Sequence, residues 1–327
     1  MTNAEHDPLE SASGPCRPVR TLLLPRRELL FPDDHSVGTV HLRGPGERGS
    51  LAGGNRRSWT PGWRDAGEAR GHVLVPAGNQ VKLIVRTEPY GDPAVLRRLR
   101  PDDVQALSLA GAGGCKPWVT SLDHLEGLEI LDLWAASAGD EAMRFVSRLS
   151  RLRVLDLWGT RVSDAGLATL TSLPGLRRLT VPGRHIGDAG MPCLADLGSL
   201  RELDLSGSSV TDAGLGFLTR AHSLVRLSLW GTHITDKGLR HLQQLTSLAE
   251  IELGATSVTD ASLVHLLHLP LRHVSLGDSL VSPKGLRMLR AALPGCRVEP
   301  AESTEHCQRW RPPRLRRGRA WRRDPDL

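Results

Sequence analysis

The chain has 327 residues, of which 39 % are hydrophobic and 24 % are charged, a composition typical of a folded globular protein. No apolar run approaches the ~20 residues that a membrane-spanning helix requires, which excludes a spanning protein. The five cysteines are scattered without a Cys-x-x-Cys pair, and the net charge is +6. This pattern argues against a disulfide scaffold or a zinc ribbon and favours a reducing compartment.

The chain begins with a segment that has no sign of a folded core. Residues 1–20 are predicted to be disordered, and they lack the cationic start and the long apolar stretch of a signal peptide. We therefore expect a cytoplasmic protein. Residues 21–103 are predicted to form a β-rich region ahead of the remaining chain.

This β-rich region contains three strand-like runs, at 37–42, 72–75 and 81–86. The loop at 76–79 predicts a hairpin between the last two runs. Two interpretations stay open: residues 71–103 cap whatever core follows, or residues 21–88 form a separate β-domain with a ligand of its own.

Leucines recur at a constant spacing through the middle of the chain. Six of them are 24 residues apart and a seventh follows after 23: Leu128, Leu152, Leu176, Leu200, Leu224, Leu248 and Leu271. We count eight units over residues 104–297. A period of this length is typical of a repeat protein, in which each unit is one supersecondary structure.

Each unit combines two shorter periods. Leu155 and Leu157 alternate with Asp156, as in a strand, whereas the following apolar residues step by three, as in a short helix. A Ser or Thr stands at the helix N-cap, and the Asp after it is favoured by the helix dipole. One unit cannot bury its apolar face alone, so stacked units are expected to form an α/β solenoid with a curved parallel sheet on the concave side and short helices on the convex side.

The unit containing Val162-Ser-Asp-Ala-Gly-Leu167 resembles leucine-rich repeats of the Thr-Asp-Ala-Gly-Leu subclass. Residues 104–297 are similar to bacterial leucine-rich repeat proteins and to the cysteine-containing repeats of F-box proteins. The resemblance implies a binding scaffold, and for the F-box relatives it implies the presentation of substrates to a ubiquitin ligase.

Equivalent strand residues form columns on the concave face, because parallel strands lie ~4.8 Å apart. Three columns together hold six acids, two arginines and three tryptophans. Exposed Trp and Arg are common interface anchors. The predicted partner-binding residues are Trp134, Trp158, Trp230, Asp132, Asp156, Asp204, Arg178 and Arg226.

Asp132 and Asp156 are predicted to be neighbours, a like-charge pair that a cation between them would relieve. We therefore predict that these carboxylates and the indoles of Trp134 and Trp158 grip a basic segment of a protein partner, with cation–π attraction from the rings. The acidic columns make nucleic acid an improbable ligand for this face, because phosphates need cations.

Residues 298–327 form an Arg-rich tail with interleaved Trp, predicted to be disordered. Three classes of function follow from the sequence: a non-catalytic protein-interaction scaffold, a ligase-type substrate adaptor, and a nucleic-acid binder acting through this tail. We expect no catalytic residues, no cofactor and no metal, and we expect a monomer. His265 and His268 are three apart, but two ligands alone are weak evidence for a metal site.

Overall fold

The computed structural model describes residues 27–45, 62–86, 92–181 and 183–299. The predicted disorder of residues 1–20 and of the Arg-rich tail lies outside these residues, apart from the first two residues of the tail. Fourteen strands run through the described part: β1 Arg27–Leu30, β2 Gly38–Arg43, β3 Arg64–Glu68, β4 His72–Val75, β5 Gln80–Val85, β6 Ala106–Ser108, β7 Ile130–Asp132, β8 Val154–Asp156, β9 Arg178–Thr180, β10 Glu202–Asp204, β11 Arg226–Ser228, β12 Glu250–Glu252, β13 His273–Ser275 and β14 Arg297–Glu299.

Short helices alternate with the strands of the repeats. The α-helices in the described part are α1 Ala94–Arg97, α2 Cys115–Val119, α3 Asp140–Val146, α4 Asp164–Ala168, α5 Met191–Ala195, α6 Asp212–Phe217, α7 Asp236–Leu239 and α8 Pro283–Ala292. The 3-10 helices there are Thr169–Ser172, Asp188–Gly190, Leu218–Arg220, Arg240–Gln244 and Asp260–Leu266. None of these helices has the length and apolar character needed to cross a bilayer.

Twelve of these strands form one sheet, in the order β14-β13-β12-β11-β10-β9-β8-β7-β6-β5-β2-β3. Strands β5 to β14 are parallel and advance by one repeat per strand, with Leu131, Leu155 and Leu179 paired in register. These leucines are fully buried between the sheet and the helices. The strand–helix units therefore stack as the leucine period predicts, and the predicted α/β solenoid is confirmed.

The N-terminal strands continue the sheet of the repeats. β5 pairs in parallel with β6, and β2 and β3 add to it antiparallel, with Val40 and Leu83 buried. The predicted hairpin is wrong in its pairing: the turn at 76–79 forms, but β4 pairs with β1 in a separate two-stranded sheet, while β5 pairs with β2 and β6. Both edges of β5 are thus occupied, one by β2 and the other by β6, and neither is available to β4. The domain boundaries proposed from the sequence stay predictions.

The regular spacing of the helix-initiating aspartates, and of the glycine that often follows two residues later, has a structural reason on the convex side. Asp212 at the start of α6 accepts hydrogen bonds from the backbone N of Thr235 at 2.8 Å and from its Oγ1 at 2.6 Å, in the next repeat. Gly238 allows this approach, because a Cβ there would lie 2.3 Å from Asp212 Oδ1. In the same way, the backbone N and the hydroxyl of a Ser or Thr in the following repeat donate to Asp140, Asp188, Asp236 and Asp260. We call these five aspartates and their partners the convex Asp ladder; it fastens five of the repeats to the repeat that follows.

Candidate protein-binding site

Two tryptophans stack on each other at one margin of the concave face. Trp134 and Trp158 each stand two residues beyond the end of a strand, β7 and β8 respectively. Their ring centroids are 5.7 Å apart and their planes differ by 10°. Both side chains are half-buried. The structure thus brings together two of the predicted binding residues, and we call them the Trp pair.

An aspartate at the end of each strand orients the Trp pair. Asp132 Oδ1 accepts a hydrogen bond from the backbone N of Trp134 at 3.0 Å, and Asp156 Oδ1 accepts one from the backbone N of Trp158 at 2.8 Å. Such a bond between an Asp side chain and the backbone two residues on closes a local turn. The turn fixes the direction in which each indole leaves the sheet.

The burial of two aspartates changes their predicted role. Asp156 and Asp204 are each only 2 % exposed, and Asp204 closes the same turn by accepting from Ser206 N at 3.0 Å. Both carboxylates therefore have a positioning role within their own turns, and their direct contact with a partner's cation stays a prediction. Sequence reasoning missed this because the alternation of a strand shows which face a residue is on but not what covers it.

Asp132 has a cation within the chain itself. Lys82 on β5 interacts with it electrostatically, and Ser108 Oγ donates to Asp132 Oδ2 at 2.8 Å. Burial raises the pKa of Asp132, against the opposing effects of these two groups and of the Trp134 N–H. Burial likewise lowers the pKa of Lys82, and Asp132 opposes that shift. Lys82 of the N-terminal strands is therefore a cation of this chain that acts on Asp132, and a partner's cation between Asp132 and Asp156 stays a prediction.

The two predicted arginines belong to a row of alternating charge across β9 to β12. Arg178 Nε donates to Glu202 at 2.7 Å, and Arg226 Nε donates to Glu250 at 2.7 Å. Arg226 Nη1 also lies 3.4 Å from Glu202. Burial raises the pKa of Glu202, while the two arginines lower it. We call these four residues the charge ladder; its arginines are engaged with carboxylates of the chain, and their predicted role in partner binding stays a prediction.

Trp230 lies apart from the Trp pair. Its indole packs over the next repeat, since a Cβ added to Gly254 would lie 2.6 Å from its Cδ1 and 2.6 Å from Gly277 O. The side chain is half-buried. Gly254, which follows Trp230 in its column, thus makes room for the ring. The sequence shows this column as Trp230, Gly254 and Gly277, but the packing was not predicted from it.

One basic feature was missed from the sequence. Arg153, Arg177 and Arg201 immediately precede β8, β9 and β10, and all three are exposed. Their backbones are joined by hydrogen bonds from Arg177 N to Arg153 O and from Arg201 N to Arg177 O, both 2.8 Å. We call them the arginine row. The sequence contains a signal for the row, because the three arginines recur at the same 24-residue period, one residue before the first of the three concave columns.

Metal chemistry finds no support in the part of the chain that the structure describes, which contains no group of three or more His, Cys, Asp or Glu arranged to bind an ion. Cys115 is buried, and burial raises the pKa of its thiol to about 11. A thiol of this kind is almost fully protonated at neutral pH and is a poor nucleophile.

Comparison with known proteins finds a family profile and several solved structures to which this chain is similar. Residues 199–218 match a family profile described as Leucine Rich repeat. An internalin C2 from Listeria monocytogenes is similar in structure, with 20 % sequence identity, a TM-score of 0.47, and coverage of 63 % of this chain and 83 % of that chain. An internalin from the same organism, internalin F, has 16 % identity, a TM-score of 0.40, and coverage of 63 % and 69 %. A comparison with proteins of curated function finds no match. Residues 199–218 thus match a leucine-rich repeat, and the assignment of the other repeats and the Thr-Asp-Ala-Gly-Leu subclass stay predictions.

Proposed function

We propose that this protein is a non-catalytic scaffold that binds a partner protein on its concave face, with the Trp pair as the main anchor. The observation that carries the proposal is the half-exposed stacked geometry of Trp134 and Trp158, each oriented by an aspartate turn. Trp is among the residues enriched at interface hot spots. An anchor that is already ordered loses little conformational entropy when the partner docks.

Burial of the still exposed indole surface by a docking partner would contribute favourable free energy of binding. If docking removes about 100 Å² of apolar surface from each ring, the hydrophobic gain is roughly 2.5 kcal/mol per Trp at ~25 cal/mol per Å². The carboxylates contribute less directly, because Asp156 is buried in its turn and Glu202 and Glu250 are paired with arginines. Asp132 and Trp230, both half-buried, stay candidates for the periphery of the contact.

The test is affinity capture of the native partner from the host of origin. We expect Trp134→Ala with Trp158→Ala to lose the partner that the wild-type protein captures. The matched control removes two aromatic rings on the convex side, Phe145→Ala with Phe217→Ala, and should retain it. Loss of the stacked pair is worth about 1 kcal/mol of folding stability, so a melting curve must show that the variant is still folded. Equal capture by both variants would refute the proposal.

The other two functional classes are less well supported. The described residues ahead of the repeats form five strands and the four-residue helix α1, whereas a ligase adaptor would need a helical partner site there. The nucleic-acid class depends on the Arg-rich tail, nearly all of which lies outside the described residues. Retention on heparin that vanishes when residues 300–327 are deleted would favour it. The cytoplasmic location and the monomeric state stay predictions.

A further inference from the structure

The arginine row differs from the charge ladder beside it in how few of its guanidinium groups have a partner. The guanidinium groups of Arg177 and Arg201 make no hydrogen bond or ion pair with any residue in the described ranges. Arg153 has one distant partner, Glu129, at 3.9 Å. The charge ladder begins one residue further along the same strands, and there each arginine faces a glutamate. Within two adjacent columns, the fold therefore pairs one set of arginines and leaves the other set open.

An open row of this kind stores electrostatic repulsion. Adjacent parallel strands are ~4.8 Å apart, so the three arginines, each just ahead of its strand, are neighbours along the backbone. Like charges directly opposite each other on a sheet are destabilising. An anion bound across the row would remove that repulsion and gain charge-assisted hydrogen bonds, for which the guanidinium fork is well suited.

We propose that the arginine row binds an acidic segment of the partner protein, on the margin of the concave face opposite the Trp pair. The inference rests on the proposed function, since it assigns a chemistry to part of the same partner. An extended peptide presents alternate side chains about 7 Å apart, so two or three Asp or Glu residues match the ~10 Å span of three strands. The sequence had suggested a basic partner segment; the structure favours the opposite charge, because the concave acids are already engaged.

A short acidic segment fits this surface better than a nucleic acid does. The strands behind the row carry Asp156, Glu202 and Asp204, so a long polyanion laid across the concave face would meet negative charge. A segment confined to the margin avoids it. Arg153 precedes β8 and Trp158 follows it, so the row and the Trp pair lie toward opposite ends of the same strands, where one partner domain can cover both.

The experiment measures the reactivity of individual arginines toward phenylglyoxal by mass spectrometry, on the full chain, with a short oligo-glutamate peptide as the probe. We expect oligo-glutamate to slow modification of Arg177 and Arg201 about threefold, a modest factor because exposed ion pairs are individually weak. Arg240 and Arg287, exposed on the convex helices without a partner among the described residues, should slow much less. Site-by-site detection keeps the tail from contributing to the result.

Two variants with the same charge change complete the test. Arg177→Glu with Arg201→Glu should abolish the protection of Arg153, whereas Arg240→Glu with Arg287→Glu should leave it intact. The proposal is overturned if the row is protected no more than the convex arginines. It is also overturned if an oligothymidylate probe protects the row as well as oligo-glutamate does. If capture of the partner depends on the Trp pair but oligo-glutamate does not protect the row, this inference alone is refuted. If oligo-glutamate protects the row but capture does not depend on the Trp pair, only the proposed function is refuted.

Discussion

Aspartate recurs at the 24-residue period on both sides of this solenoid, and its structural role differs between the two sides. On the convex side, Asp212 bonds to Thr235 of the following repeat. On the concave side, Asp156 bonds to Trp158 of its own repeat. The first holds neighbouring repeats together and the second shapes a turn. The comparison teaches that a periodic acid is more often a structural acceptor than a binding group, so candidate binding residues are the periodic side chains left without an internal partner.

The largest expected effect tests the convex Asp ladder. Gly238→Ala places a Cβ 2.3 Å from Asp212 Oδ1, a carboxylate that is held by two hydrogen bonds. We expect a loss of about 3 kcal/mol in the free energy of unfolding, because the ladder must shift to accept the methyl group. Urea denaturation measures it.

The matched control is Gly216→Ala on helix α6. The nearest atom to its Cβ is 3.6 Å away, in the imidazole of His241. We expect no loss, or a gain of about 0.5–1 kcal/mol from helix propensity. Similar losses for the two substitutions would show that the close approach to the aspartate is not what requires glycine.

The next effect tests the concave turn. Asp156→Ala removes the acceptor for Trp158 N and should lower the free energy of unfolding by about 1–2 kcal/mol. Capture of the partner should fall as well, because the indole loses its fixed direction. Asp156→Asn keeps an oxygen acceptor and should preserve capture. If Asn loses capture as Ala does, the charge itself binds the partner and the positioning role is wrong.

A third effect depends on pH. Burial alone would raise the pKa of Asp236, but hydrogen bonds from Ser262 and Thr259 together lower it. A carboxyl whose folded-state pKa lies below its unfolded value of ~3.9 contributes stability that is complete at neutral pH and is lost as the pH falls through the folded value. The difference in unfolding free energy between wild type and Asp236→Asn should therefore shrink below about pH 4. A difference that grows on acidification would contradict the shift.

The smallest effect concerns the turn after each strand, at a position that is glycine in several repeats. Ala255 has a φ of 52° there, in the left-handed region that glycine adopts without steric cost. Ala255→Gly should raise the unfolding free energy by roughly 0.5 kcal/mol, the strain relief being partly offset by chain entropy. Ala261→Gly, in a 3-10 helix, should instead lower it by about 0.5–1 kcal/mol. Melting temperatures of both variants provide the measurement.

Short-range physics determined most of the fold. The leucine period places a buried residue at the same position of every repeat. Leu131, Leu155 and Leu179 occupy this position in register. The N-cap prediction holds at Ser163 and Thr211, whose side chains accept from the backbone two residues on. Local rules sufficed here because each repeat contacts only its neighbours.

The tertiary structure alone decided which periodic side chains are available for binding. Alternation along a strand assigned Asp156, Asp204, Arg226 and Trp158 to one face, yet burial, turn closure and ion pairing engaged the first three and left the indole partly open. The pairing of β4 with β1, and not with β5, likewise depended on the first repeat needing a neighbouring strand. The aspartate turns are local, but the burial, the ion pairs and the strand pairing rest on contacts between different repeats or strands, whose energies no single period in the sequence contains.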